Sequence, residues 1–122
     1  MYKIALVGLG GFFGTVARYL VGQSLGGTFA PFPFPTFIIN IIGCFVIGMI
    51  YGFSGRFDWL TPDMKLFLTV GFCGGFTTFS SFANENIVLL DQKEYALFFL
   101  YTIGSVAIGL LAVWAGLLIA KA

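Results

Sequence analysis

Apolar positions dominate four stretches of this chain, and polar residues collect between them. Residues 19–55 contain no Lys, Arg, Asp or Glu, and residues 95–120 are likewise uncharged. A helix needs about 20 apolar residues to cross a hydrocarbon core ~30 Å thick. The pattern predicts four such helices, at about residues 4–21, 36–53, 64–90 and 95–120. Gly26-Gly27 follows the first, and a connection then alternates Pro31, Pro33 and Pro35 with Phe32 and Phe34. Proline prevents helix there and predicts an extended conformation. Ser54-Gly55 closes the second span, and the polar link from Arg56 ends in Thr61-Pro62-Asp63. That triplet opens the third span, with Thr61 as N-cap and Pro62 at the first helical position. Asp91 to Glu94 is the last loop.

Composition supports lipid as the solvent. Hydrophobic residues make up 59% of the 122 and charged ones only 9%, with a mean hydropathy of +1.01. Soluble domains carry about 25% charged residues, so this surface does not face water throughout. The expected fold is an all-α integral membrane protein, a single domain over residues 1–122. The start, Met1-Tyr2-Lys3 before Ile4, resembles a signal peptide. Gly10, Gly11 and Gly14 break the apolar run, however, and Arg18 follows without an A-x-A site, so a retained first span is expected.

Four spans put both termini on one side with Lys3, Arg56, Lys65 and Lys121; Lys93, and Arg18 toward it, mark the other. This bias is small for the positive-inside rule, and a chain so balanced is expected to insert in both orientations. Gly10 with Gly14 and Gly48 with Gly52 have the G-x-x-x-G spacing that lets helix backbones approach closely. Four thin helices enclose little interior, so an oligomer is expected to complete any pathway. Cys44 and Cys73 both fall in apolar segments and read as small buried hydrophobes rather than as a disulfide. The chain has no His, which excludes His-based metal sites, triads and proton relays.

Polar side chains at membrane depth are expensive and mark function. The first span holds Arg18; the second holds Asn40, with Thr36 one turn earlier on the same face. Thr77, Thr78, Ser80, Ser81, Asn84, Glu85 and Asn86 lie in the third, and Tyr101, Thr102 and Ser105 in the fourth. Ser and Thr can bond their own helix, but Arg18 and Asn40 need partners elsewhere or a wet cavity. The strongest local signal is Gly71-Phe72-Cys73-Gly74-Gly75-Phe76-Thr77-Thr78-Phe79-Ser80-Ser81-Phe82. Its glycines and β-branched threonines are poor helix formers, and they predict a break whose freed carbonyls must be buried or coordinate something. Phe79 and Phe82 then share a face. Ring edges are positive, so aromatic edges beside Asn, Ser and Thr donors suit an anion, although packing is an ordinary role for a Phe pair.

Three segments carry a family resemblance: Gly10-Gly11-x-x-Gly14-x-x-Ala17-Arg18-Tyr19, Thr36-x-x-x-Asn40-x-x-Gly43, and Gly71-x-x-Gly74-Gly75-x-Thr77-Thr78-Phe79-Ser80-x-Phe82. In that order and spacing the chain resembles the Fluc (CrcB) fluoride channels of bacteria and archaea along essentially its whole length. The resemblance implies an antiparallel, dual-topology homodimer in the bacterial inner membrane, with two fluoride pathways between subunits. It implies one structural Na⁺ on the two-fold axis, held by the Gly74 and Thr77 carbonyls of each subunit. Phe79 and Phe82 match pore-lining phenylalanines; Asn40 matches an asparagine that hydrogen-bonds near the fluoride path, and Ser81 is expected beside it as a donor. Tyr101 and Ser105 match a polar track, Glu85 a pore-proximal carboxylate, and Arg18 a vestibule arginine. Gly109 stands where some relatives carry another hydroxyl, which leaves the length of that track open.

The activity so implied is passive export of cytoplasmic F⁻ down its electrochemical gradient, which lowers fluoride toxicity. The alternative is a small multidrug-type, four-helix, proton-coupled transporter. Such a protein needs a carboxylate in its first span, and residues 1–22 contain no Asp or Glu. A non-transporting accessory protein gives no reason for a Gly/Thr break followed by paired Phe. No enzyme is expected, because embedded nucleophile–base pairs are absent.

Overall fold

The computed structural model describes residues 1–122. Helix α1 spans Tyr2–Ser24 and α2 spans Phe34–Phe53. The third crossing, Pro62–Asp91, is composite. It comprises α3 (Pro62–Leu66), a π-helical segment (Phe67–Cys73), α4 (Gly74–Phe76), a non-helical step at Thr77–Phe79, and α5 (Ser80–Asp91). Helix α6 spans Tyr95–Lys121. All four crossings are long and apolar enough to traverse a membrane, as the pattern predicts. Thr61 caps α3 by accepting from Met64 N at 3.1 Å, with Pro62 in the first turn.

The α1–α2 connection departs from the expected extended form. Successive turns close through Thr28 N→Leu25 O, Ala30 N→Gly27 O and Phe32 N→Phe29 O. Proline excludes helix there but not turns, because its fixed φ also suits turn positions. Pro35 lies inside the first turn of α2, where a missing N–H costs nothing.

Two helix pairs organise the packing: α2 runs along α6, and α1 lies against the π-helical segment and α4. Backbone proximity explains the small residues. A Cβ at Gly14 would overlap Phe72 O and lie 2.9 Å from Phe76 N, and one at Gly48 would overlap Val113 O. At the membrane edge Tyr2 Oη donates to Asp63 and the Arg56 guanidinium donates to the Ala120 carbonyl, so both termini and the α2–α3 link share one end. Only 19 of 122 residues are buried. Many large apolar side chains, Phe12, Phe13, Leu110 and Trp114 among them, are exposed toward lipid or another chain. Both cysteines are free thiols; Cys73 is buried and Cys44 half-buried.

Candidate functional site

The glycines of the third crossing do not open the helix. Gly71, Gly74 and Gly75 all lie in helical backbone, and the chain first extends at Thr77 (φ −85°, ψ 160°). The expectation of a break beginning in the glycine run is thereby corrected. Gly71 and Gly75 serve contact instead: a Cβ at Gly71 would sit 3.0 Å from Gly10 Cα, and one at Gly75 2.6 Å from Gly11 O. The break itself falls on Thr77, Thr78 and Phe79.

Neighbouring spans secure it. Asn40 Nδ2 donates to Thr78 O at 3.0 Å, and Thr78 N donates to Asn40 Oδ1 at 2.8 Å. The side-chain amide thus stands in for the peptide partners that a continuous helix would have supplied. Thr78 Oγ1 accepts from Ser81 N at 3.2 Å and so caps the first turn of α5. Arg18 Nε donates to Gly75 O at 3.1 Å, the guanidinium's sole hydrogen bond within the chain. A Cβ at Gly43 would overlap Thr77 Cγ2, so that glycine seats the threonine.

Several backbone groups at the break stay unpaired. Gly74 O and Thr77 O have no donor within hydrogen-bond distance, and the N–H groups of Phe79 and Phe82 have no acceptor. Gly74 is exposed, and both Gly74 and Thr77 line a cavity of about 440 Å³ together with Asn40, Thr78, Phe79, Phe82 and Ser105. Free carbonyls on two residues that line a cavity are hard oxygen donors of the kind that unwound membrane helices offer to Na⁺. The residues present therefore fit a monovalent cation, with half the oxygens that a four-carbonyl site needs. Ser105 Oγ is buried without a partner. Phe79 is 77% exposed, although it lies at membrane depth.

A second polar group sits between α2, α5 and α6. Thr36 Oγ1 donates to Glu85 Oε2 at 2.8 Å, and Tyr101 Oη donates to Glu85 Oε1 at 2.8 Å. Thr102 Oγ1 donates to Asn86 Oδ1 at 3.2 Å. An aromatic chain joins this group to the cavity. The Phe79 and Phe82 rings are 5.8 Å apart and tilted 43°, and Phe82 and Tyr101 are 4.9 Å apart and tilted 53°.

A sequence profile described as "CrcB-like protein, Camphor Resistance (CrcB)" matches residues 5–117. The chain belongs to the CrcB family. It is similar to the "Fluoride-specific ion channel FluC" of Bacteroides fragilis, 48% identical over 120 residues covering 95% of this chain and 94% of that one. The protein of the same name from Flavobacterium psychrophilum is 44% identical, covering 99% and 98%, and that of Chlorobium luteolum 45%, covering 98% and 92%.

Among the residues singled out by sequence, Asn40, Ser105, Phe79, Phe82, Gly74 and Thr77 converge on the cavity. Glu85 and Tyr101 form the adjoining group. Arg18 is anchored through Nε to the Gly75 carbonyl, which leaves both terminal nitrogens of its guanidinium without a partner in the chain. Ser81 engages the site through its backbone N–H. Gly109 abuts α2, since a Cβ there would meet Cys44 Sγ at 3.5 Å, and Ser105 is the last hydroxyl of α6 at the cavity. Sequence reasoning did not single out Thr78 as the residue on which the break turns, nor Cys44 and Cys73 as cavity lining. The i, i+4 spacing of Thr36 and Asn40 was the available signal that one face of α2 serves both polar groups.

Proposed function

We propose that this chain is a fluoride-selective channel that exports cytoplasmic F⁻ passively and acts as an antiparallel, dual-topology homodimer. The observation that carries the reading is the broken third crossing, whose Thr77–Phe79 step presents free carbonyls and a free N–H beside the Phe79 and Phe82 rings. Membership of a family whose similar members are named fluoride-specific channels supports the choice of ion. A helix N-terminus favours anions, and α5 begins at this step. Ring edges at Phe79 and Phe82 add positive potential without fixed charge. Such weak contacts replace hydration water without trapping the ion. Asn40, Ser81 and Ser105 extend the donors along the path, with Tyr101 and Glu85 beyond them and Arg18 raising local anion concentration.

A second copy would complete what one chain leaves open. Its Gly74 and Thr77 carbonyls would bring the oxygens around a structural Na⁺ to four, and its surface would cover the exposed Phe79. When bound, that ion offsets the carbonyl dipoles where two broken helices meet. Export needs no energy input: HF enters across the bilayer, ionises inside, and F⁻ leaves through the channel. The test is fluoride efflux from liposomes holding purified protein, with Phe79→Ile and Phe82→Ile beside the parent. The parent is expected to conduct fluoride and both variants to lose most of the flux. Absence of flux from folded parent protein overturns the channel reading, and unchanged flux in both variants overturns the role of the rings.

A further inference from the structure

We propose that the connection between α1 and α2 is a working part of this site, in which Phe32 is a positioning residue that holds the Tyr101 phenol on Glu85. Tyr101 is wholly buried, and its hydroxyl reaches Glu85 Oε1 at 2.8 Å. Two rings restrain it. Phe82 comes from the third crossing, whereas Phe32 comes from the loop, 5.5 Å away with the rings at 79°, an edge-to-face arrangement. Phe32 is braced in turn by Phe37, 5.7 Å away and inclined at 64°.

The loop is built to present that ring. Phe32 lies between Pro31 and Pro33, so its neighbours have fixed φ and its own backbone is confined by the proline that follows. Phe32 N donates to Phe29 O at 2.9 Å, and Phe34 N to Phe32 O at 2.8 Å, which closes turns on both sides. Phe29 adopts φ +56°, which non-glycine residues seldom do, and packs on Phe34 at 5.0 Å. Aromatic residues at helix ends often serve only as interfacial anchors. Phe29, 69% exposed, fits that role, but Phe32 rests on Tyr101. Without Phe32 the phenol regains rotational freedom, and Glu85 keeps only Thr36 as a donor.

The consequence for transport rests on the channel reading; the geometric claim does not. Protein carrying tyrosine labelled with ¹³C at Cζ is reconstituted in liposomes, and the Tyr101 line is assigned by its loss in Tyr101→Phe. Phe32→Ala is expected to move that line in the same direction as Glu85→Gln and to lower fluoride efflux roughly fivefold. Phe32→Trp is expected to restore both. In the Tyr101→Phe background, Phe32→Ala is expected to lower efflux no further. An unmoved Tyr101 line, or a further loss in that background, overturns the proposal. If Phe32→Ala does not fold, Phe32→Leu, which retains bulk but no ring, is expected to give the same displacement, and an unmoved line there overturns the proposal equally. Parent protein without fluoride flux removes the channel reading alone, because the Tyr101 line still decides this one.

Discussion

Replacing Asn40 by Leu removes both hydrogen bonds that hold Thr78 outside the helix, at 3.0 and 2.8 Å. Leu has the same branching and number of side-chain heavy atoms and is somewhat bulkier, so it leaves no cavity. Side-chain hydrogen bonds between membrane helices contribute about 0.6 kcal/mol on average, because released groups find other partners in the bilayer. Two such bonds would cost about 1 kcal/mol. The groups orphaned here are backbone, however, and a buried unpaired N–H or C=O costs about 1–3 kcal/mol each. Thr78 N–H has one local alternative, closure onto Gly74 O, and that would re-form the helix across the break. We therefore expect Asn40→Leu to destabilise the fold by ~3 kcal/mol, nearer the cost of two orphaned groups than of two exchanged bonds. Unfolding in mixed detergent micelles gives the stability, and liposome efflux is expected to fall with it. A loss of 1 kcal/mol or less with flux intact would show that Asn40 does not hold the break.

Glycine packing gives a paired prediction. Gly14→Ala places a Cβ against Phe72 O and Phe76 N, whereas a Cβ at Gly8 meets nothing within 4 Å; the first is expected to cost about 1–3 kcal/mol in the same unfolding assay and the second to be neutral or slightly stabilising. If the proposed Na⁺ site between two copies is correct, replacing Na⁺ throughout by a much larger organic cation is expected to weaken self-association, read by the dimer fraction in detergent, because the Gly74 and Thr77 carbonyls would lose their ion. Arg18→Gln preserves a donor for Gly75 O but removes the charge. It is expected to leave the fold intact and to reduce fluoride flux, most of all at low ionic strength, where charge-driven local concentration is greatest.

The four crossings were legible because solvent choice is a bulk property: uncharged runs such as residues 95–120 have no stable place in water. The site's components were legible for the converse reason, since Asn40, Glu85 and Arg18 have no other justification at membrane depth. The position of the break was not. Glycine carries two meanings, weak helix propensity and absent bulk, and in Gly71 and Gly75 the second governs, because α1 crowds the space a Cβ would take. Tertiary packing overrode propensity, as it often does. The π-helical register of Phe67–Cys73 was equally hidden, since nothing in Phe-Leu-Thr-Val-Gly-Phe-Cys separates it from an α-helix. Pairings such as Thr36 with Glu85 depend on how two spans are rotated, which no single-span pattern specifies.

Backbone bonding explains why three distant segments share one task. A helix interrupted at membrane depth exposes polar groups that lipid cannot satisfy, and each of the three motif segments answers part of that demand. From α1, Gly10 and Gly14 admit the backbone of the third crossing, and Arg18 takes Gly75 O. From α2, Asn40 takes both groups of Thr78, Gly43 seats Thr77, and Thr36 fixes Glu85. What remains after these contacts is selective. Carbonyls of Gly74 and Thr77 are left on one side of the step and the N–H groups of Phe79 and Phe82 on the other. A break needed only for bending could have been satisfied completely, since the neighbouring spans already reach Gly75 and Thr78. The unpaired set instead has opposite polarity at its two ends, free carbonyl oxygens at α4 and the residue after it, and free hydrogen donors where α5 starts. That division is what the proposed placing of a cation and an anion in adjacent positions rests on, and it centres on the step at Thr77–Phe79 together with the Gly74 carbonyl just before it.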